Sequence, residues 1–301
     1  MAFLRMISNT HVFSGLLAIS VLGLAFYSRE EVMAALYGIQ ISWAIAGFIF
    51  ILSNYCFRAW RLNVLTGKKL AVWPQGAYCT SMHGFASYML PLRSGDLSLP
   101  FLLKSTSGMD LKDGAKVLYK ARLLEVFTLG VWMVAAALLP SLKLPPTIMI
   151  LMAVSGILMI LSPLLLKKFF SLSLLPFEKF QRLATALAQT SQMNILEIML
   201  TFGIWTSIAL GTWCIAAAIQ LPIAFKDIVF LIALQLVMQV MPIQGFANSG
   251  NHESGWVGAL VLMGVPADMA LKFALTSHAI ILVYVLIIGL IALVLRHTLI
   301  R

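Results

Sequence analysis

The sequence predicts an all-α polytopic membrane protein, with about six full transmembrane helices and two re-entrant helical hairpins in a single integral membrane domain over residues 1–301. Three observations predict it. Hydrophobic types make up 61% of the 301 residues, charged types only 11%, and mean hydropathy is +0.96. A soluble domain carries about 25% charged residues, so this chain cannot cover a water-facing surface. Apolar stretches near the ~20 residues that one crossing needs recur along the chain. Two further apolar regions are interrupted by proline, glycine and polar residues. Together these exclude a soluble enzyme, a disordered chain, a fibrous protein and a nucleic-acid reader. The net charge of +10 then reads as basic cytoplasmic loops facing anionic lipid.

The elements follow in order. Arg5 precedes an apolar run ending in Tyr27-Ser28-Arg29-Glu30 without a small-x-small cleavage site, which predicts an uncleaved first span rather than a signal peptide. The spans are expected at 11–27, 33–57, 123–139, 147–166, 195–219 and 277–295. The first broken region, 70–103, contains Pro74, Gly76, Gly84, Pro91, Gly95 and Pro100. The second, 227–275, contains the polar insert Gln244–Gly255. Residues 228–241 would give only about 21 Å of helix at 1.5 Å per residue, short for a crossing.

The broken regions decide the topology. If each enters and leaves on one side, all basic residues except Arg29, Lys143, Lys226 and Lys272, that is 17 of 21, lie on the cytoplasmic side with both termini. A single crossing by either region would abolish this bias, and basic residues favour the cytoplasm. Residues 33–139 then read as span, hairpin, span, and 195–295 repeat the order in the opposite sense. Inverted units with interrupted helices meeting near the midplane are a transporter architecture. Irregular backbone at membrane depth survives only against protein or a wet cavity, so the hairpins imply a polar chamber. The alternative for Gln244–Gly255 is a long external loop between ordinary spans.

Four charged groups attend this chamber. Arg58 and Arg61 are three apart and share a helix face; they read either as a snorkelling anchor or as a phosphate clamp, since guanidinium forks bind phosphate oxygens bidentately. Arg93 and Asp96 lie in the broken segment Pro91-Leu-Arg93-Ser-Gly95-Asp96, where charge is costly unless paired or wet. Arg93 would meet an anion, and Asp96 would orient Arg93 or meet a cation. Lys116, Lys120, Arg122 and Glu125 come next. The lysines suit an interfacial face. Glu125 is expected to pair with Arg122 or with an arginine of the other two groups. The last group is Gln244, Asn248, Asn251, His252 and Glu253, lining a headgroup cavity, with Glu253 as a buried acid able to carry a proton. No second histidine follows at a metal-ligand spacing, so neither metal nor cofactor is expected. Glu197 reads as interfacial. Cys56, Cys79 and Cys214 have no CxxC spacing and read as small buried hydrophobes. Residues 169–187 form an amphipathic stretch expected on the membrane surface.

At these residues the chain resembles a known family. The order Arg58-x-x-Arg61, Leu90-Pro-Leu-Arg93-Ser-Gly-Asp96 with Leu102-Leu103, Ala121-Arg122-Leu-Leu-Glu125, then Met241-Pro-Ile-Gln-Gly245 through Glu253 to Gly264-Val265 is similar to the lysylphosphatidylglycerol synthase transmembrane-region family. The family includes the flippase half of the multiple-peptide-resistance factor, stand-alone bacterial inner-membrane proteins and membrane portions of polyprenol-linked glycosyltransferases. The resemblance implies a lipid-handling membrane domain of the bacterial inner membrane. It points to Arg58, Arg61, Arg93, Asp96, Arg122 and Glu253. The chain departs from the pattern in three places. Asp96 stands where glutamate is usual, Ala121-Arg122 lacks the adjacent acid, and Gln-Gly-Phe-Ala-Asn-Ser-Gly replaces a glycine-rich run. No soluble aminoacyltransferase domain accompanies these residues, so synthesis of lysyl-lipid is not expected of this chain alone.

The expected function is therefore lipid translocation or lipid-headgroup binding, transporter-like rather than enzymatic, with a phospholipid or polyprenyl-linked lipid as ligand. The alternative is a membrane-embedded transferase acting on such a lipid, with Asp96 or Glu253 as general base. A third role is accessory, binding lipid for a partner lipid-modifying enzyme. Headgroup, direction, coupling ion and oligomeric state, a homo-oligomer included, stay open at this point.

Overall fold

A computed structural model describes residues 19–23, 25–26, 29–138, 144–171, 192–240 and 244–300. Among them every regular element is helical. The first expected span lies mostly outside these residues, as does the amphipathic stretch 169–187.

The apolar stretch expected as one span over 33–57 is two helices, α1 (Arg29–Tyr37) and α2 (Ile41–Leu65). The break falls at Gly38-Ile39-Gln40, where the backbone N–H of Gln40 donates to Ala218 O at 3.0 Å instead of continuing the helix. α2 also runs past Phe57 to Leu65, so Arg58 and Arg61 lie inside the helix rather than beyond its end.

Two short helices follow, α3 (Ala77–Met89) and α4 (Ser98–Ser107), joined by a 3₁₀ bend at Pro91–Leu97. Gly95 lets this bend close: a Cβ there would fall 2.2 Å from Ala86 O. α5 (Leu111–Leu138) is one continuous helix, so the amphipathic segment expected before the span and the span itself are a single rod. α6 (Pro146–Ser171) packs along it. Gly130 and Gly156 sit at that crossing, where a Cβ on either would meet the other's carbonyl at 2.7 Å. Small residues allow such close helix approach where lipid supplies no hydrophobic drive.

The second half contains α7 (Ile195–Ala218), α8 (Phe225–Val240), α9 (Asn251–Leu262) and α10 (Ala267–Ile300). Among the described residues, five helices are long and apolar enough to cross a membrane: α2, α5, α7, α10 and residues Pro146–Leu165 of α6. The chain is thus an all-helical polytopic membrane protein. The short helices α3, α4, α8 and α9 have 13, 10, 16 and 12 residues. At 1.5 Å per residue none exceeds about 24 Å, below the ~30 Å hydrocarbon thickness.

The packing is reciprocal. α2 pairs with α7; α3 packs on α10, and α8 packs on α5. The main core, including Leu129, Met133, Trp205, Phe230, Leu231, Leu260 and Phe273, joins α5, α7, α8, α9 and α10. A smaller core of Leu62, Leu70, Cys79, Leu99, Leu103 and Val117 lies among α2 to α5. Outward faces are apolar, as at Ile41, Ile45 and Ile49 on α2 and Leu290 and Val294 on α10, which suits lipid rather than water. Cys79 and Cys214 are buried, but Cys56 is exposed on such a face of α2.

Candidate functional site

Helix α2 carries Arg58 and Arg61 one turn apart, and α5 carries Arg122 and Glu125 one turn apart. Because α2 contacts α5, both pairs meet. Arg61 Nη2 donates to Glu125 Oε1 at 2.8 Å, and Arg122 Nη1 donates to Glu125 Oε2 at 2.5 Å. Arg58 Nη1 lies 3.7 Å from Oε1, its Nε donating to Asn54 Oδ1 at 2.7 Å. One buried carboxylate thus holds three guanidinium groups. Arg61 is 4% exposed and is fixed further by Thr201 of α7, whose Oγ1 accepts at 3.2 Å.

The bend between α3 and α4 adds the second carboxylate. Arg122 Nη2 donates to Asp96 Oδ1 at 2.6 Å, and Ser87 Oγ donates to the same oxygen at 3.0 Å. Arg93, in the same bend, lies in electrostatic range of Arg122, Asp96 and Glu125. Leu92 and Arg93 both adopt left-handed backbone, with φ of 56° and 58°. Such conformations cost non-glycine residues about 1–2 kcal/mol each and persist where surroundings over-determine them. Among the described residues, four arginines and two carboxylates meet here.

A small, partly open cavity of about 30 Å³ faces this cluster. Arg58, Arg61, Arg122, Glu125, His83 and Thr80 give its polar lining; Leu62, Leu65, Leu99, Leu118 and Ala121 give the apolar wall. His83 is held by a hydrogen bond between Nδ1 and Ser98 Oγ at 3.0 Å. An apolar wall with a few convergent polar groups is the usual composition of a small-molecule pocket. This one is polarised for an anion.

The insert residues sit elsewhere: none of Gln244, Asn248, Asn251, His252 and Glu253 lines the cavity. They form the second bend, residues 244–250 between α8 and α9, and the first turn of α9, and their polar groups are engaged by the end of α3 with the first bend, by one another and by α10. Gln244 Nε2 donates to Ser87 O at 2.9 Å and reaches the carbonyls of Tyr88 and Leu90 at 3.3 and 3.4 Å. Asn251 Nδ2 donates to Asn248 Oδ1 at 3.0 Å, His252 Nε2 pairs with Ser277 Oγ at 3.1 Å, and Glu253 pairs with His278. Lys120 also leaves the cavity, meeting Glu197 at 2.6 Å. Glu197, expected at the interface, is 3% exposed and closes a capping box with Asn194 at the start of α7. No group of three His, Cys, Asp or Glu side chains among the described residues is arranged to hold a metal ion.

The model of the lysylphosphatidylglycerol synthase transmembrane region matches residues 12–289. The chain belongs to that family. It is a family of membrane proteins linked to lipid handling, and the arginine cavity lies within the matched span. No curated protein and no solved structure matches the chain.

Residues that sequence reasoning missed are His83, Thr80, Asn54, Thr201, Ser277 and His278. His278 had a signal: an ionisable side chain inside a long apolar helix is a functional candidate by default. His83, inside the apolar region 70–103, carried the same signal; Thr80, Asn54, Thr201 and Ser277 are neutral and become visible only when α2, α3, α7 and α10 are assembled.

Proposed function

We propose that this chain translocates a lipid across the bilayer, holding its phosphate in the arginine cavity while its tails stay in the surrounding hydrocarbon. The observation that carries this reading is the convergence of Arg58, Arg61 and Arg122 on one buried Glu125 at a cavity with a leucine wall. The carboxylate keeps the guanidiniums preorganised and desolvated. An arriving phosphate then finds several fork donors already aimed. Arg58, at the longest distance from Glu125 and 21% exposed in its side chain, is the first to turn toward a ligand.

In this reading the pairs α3–α4 and α8–α9 are re-entrant hairpins that dip in from opposite faces. Residues 33–139 and 195–295 are inverted units, and the reciprocal packing of α3 on α10 and α8 on α5 supports this. Both bends also contain two consecutive left-handed non-glycine residues, Leu92-Arg93 and Ala247-Asn248. The membrane is the bacterial inner membrane, with both termini cytoplasmic.

The transferase alternative draws on His83, an imidazole on the wall beside the arginines and a residue type that serves as a general base in its neutral form. Of the two bases expected from the sequence, Asp96 is engaged by Arg122 and Ser87, and Glu253 does not line the cavity. One experiment separates the readings. Purified protein is reconstituted into phosphatidylcholine vesicles containing fluorescent phosphatidylglycerol, outer-leaflet dye is quenched chemically, and the lipids are then analysed by mass. Accelerated loss of the protected fraction with unchanged lipid mass supports translocation. A new covalent product without movement supports the transferase.

A further inference from the structure

The pair Glu253–His278 lies outside the arginine cavity and joins the second bend to the last long helix. Each residue is 5% exposed. Their partners fix the proton count. His278 Nε2 faces the carbonyl of Ala247 at 2.8 Å, and a carbonyl only accepts, so Nε2 carries hydrogen. Glu253 Oε2 accepts the backbone N–H of Gly250 at 2.8 Å. The remaining contact joins His278 Nδ1 to Glu253 Oε1. It needs one hydrogen, whether the pair is imidazolium with carboxylate or imidazole with carboxylic acid. Without that proton, two lone pairs would oppose each other and a net negative charge would be buried, which is strongly unfavourable.

The groups around the pair do not supply another hydrogen to this contact. Ser277 Oγ donates to Ala274 O at 3.1 Å. His252 Nε2 therefore donates to Ser277 Oγ and holds its own proton. The rings of His252 and His278 stack at 4.8 Å between centroids, so a second positive charge on His252 is disfavoured. Tyr88 of α3 faces His278 edge-on at 6.1 Å. Among the described residues, His252 and Tyr88 are the titratable neighbours facing the pair.

The proton also has a mechanical role. His278 grips the bend twice, at Ala247 O and at Glu253, and Ala247 itself is held in left-handed backbone at φ 52°. The same bend is tied to the first one through Gln244, and Ser87 joins Gln244 to Asp96 and Arg122. We infer that the Glu253–His278 contact is a proton-binding latch, and that the proton is the ion coupled to lipid movement: bound, it fastens the second bend to α10; released, it frees that bend and with it the support under the arginine cavity. The fastened state binds one more proton than the freed state, so rising pH favours release. This deepens the translocation reading and rests on it for the word coupled.

The test uses the full chain in vesicles, with the membrane potential clamped and a pH gradient of about one unit imposed. One proton per lipid would then support up to about a tenfold lipid asymmetry. The rate of fluorescent phosphatidylglycerol movement with the gradient, divided by the rate without it, is expected to exceed one in the wild type. It is expected to fall to one in Glu253→Gln, whose amide reproduces the hydrogen but cannot release it. A wild-type ratio of one, or an unchanged ratio in the variant, overturns the inference. If neither protein moves lipid, the translocation reading fails by itself. The latch is then decided by hydrogen–deuterium exchange of the 244–254 segment in lipid nanodiscs, corrected for intrinsic rates. A step of deprotection with rising pH that Glu253→Gln lacks supports the proton site, and its absence from the wild type overturns it.

Discussion

Leu92 donates its backbone N–H to the carbonyl of Gln244 at 2.8 Å. The two residues are far apart in the chain, each at a bend between two short helices. This bond, with the Gln244 amide on Ser87, Tyr88 and Leu90, makes the bends one structure rather than two loops. Replacing Gln244 by leucine removes an amide that serves three carbonyls. The expected loss is about 1–3 kcal/mol, the penalty for buried acceptors left unmet. Chemical labelling of a cysteine introduced at Ser249 should accelerate in Gln244→Leu relative to the parent. Equal labelling would mean that the bends are held by something else.

Glu125 is the shared counter-ion of three arginines, so its removal should be among the most destabilising single changes. Truncating one partner of a buried ion pair costs about 3–5 kcal/mol. Glu125→Ala should lower the unfolding temperature in detergent far more than Asp113→Ala, whose exposed pair with Lys116 contributes little. Comparable unfolding temperatures would show that Glu125 is not the keystone of the cluster.

Arg58 is the guanidinium least committed to Glu125. Arg58→Lys keeps the charge but loses the fork. It should weaken the binding of phosphatidylglycerol about tenfold while leaving the thermal unfolding temperature near that of the wild type. A lysine variant that binds as well would point to simple charge attraction rather than bidentate recognition.

Gly95 is needed for space rather than for its dihedral angle. An alanine Cβ would lie 2.2 Å from Ala86 O and 2.3 Å from its carbonyl carbon, and both atoms are backbone. Gly95→Ala should therefore misplace Asp96 and cost more than the usual 1–3 kcal/mol of an overpacked core (roughly). Thermal unfolding reads the loss, and a neutral result would require a different path for the bend.

Much of this arrangement was legible in the sequence, and the limits have physical causes. Composition alone identified a membrane protein, and the positions of Pro91, Gly95 and the 244–255 insert identified both bends. The spacing of three made Arg122 one expected partner of Glu125, with an arginine of the other groups as the alternative; both kinds of pair form. Which further arginine Glu125 would take depended on the crossing of α2 and α5, and local pattern carries no information about that. The same limit hid Thr201 and Lys120–Glu197, which join helices distant in sequence. The span expected over 33–57 lies instead at Ile41–Leu65, because Gly38-Ile39-Gln40 is a weak breaker by composition. It acts as one because Gln40 finds Ala218 O on α7. The insert residues were expected to line the headgroup cavity. Their side chains turn instead to α10 and to the first bend, since buried amides and acids must satisfy their own hydrogen bonds first.

The most direct measurement is a density map of the protein in phosphatidylglycerol nanodiscs at a resolution that separates phosphate from solvent. The account predicts a phosphate within about 3 Å of the Arg58 and Arg122 guanidiniums, its acyl chains leaving past the leucine wall. Lipid confined to the outer perimeter, with the arginine cavity holding only water in every class of particles, would contradict it.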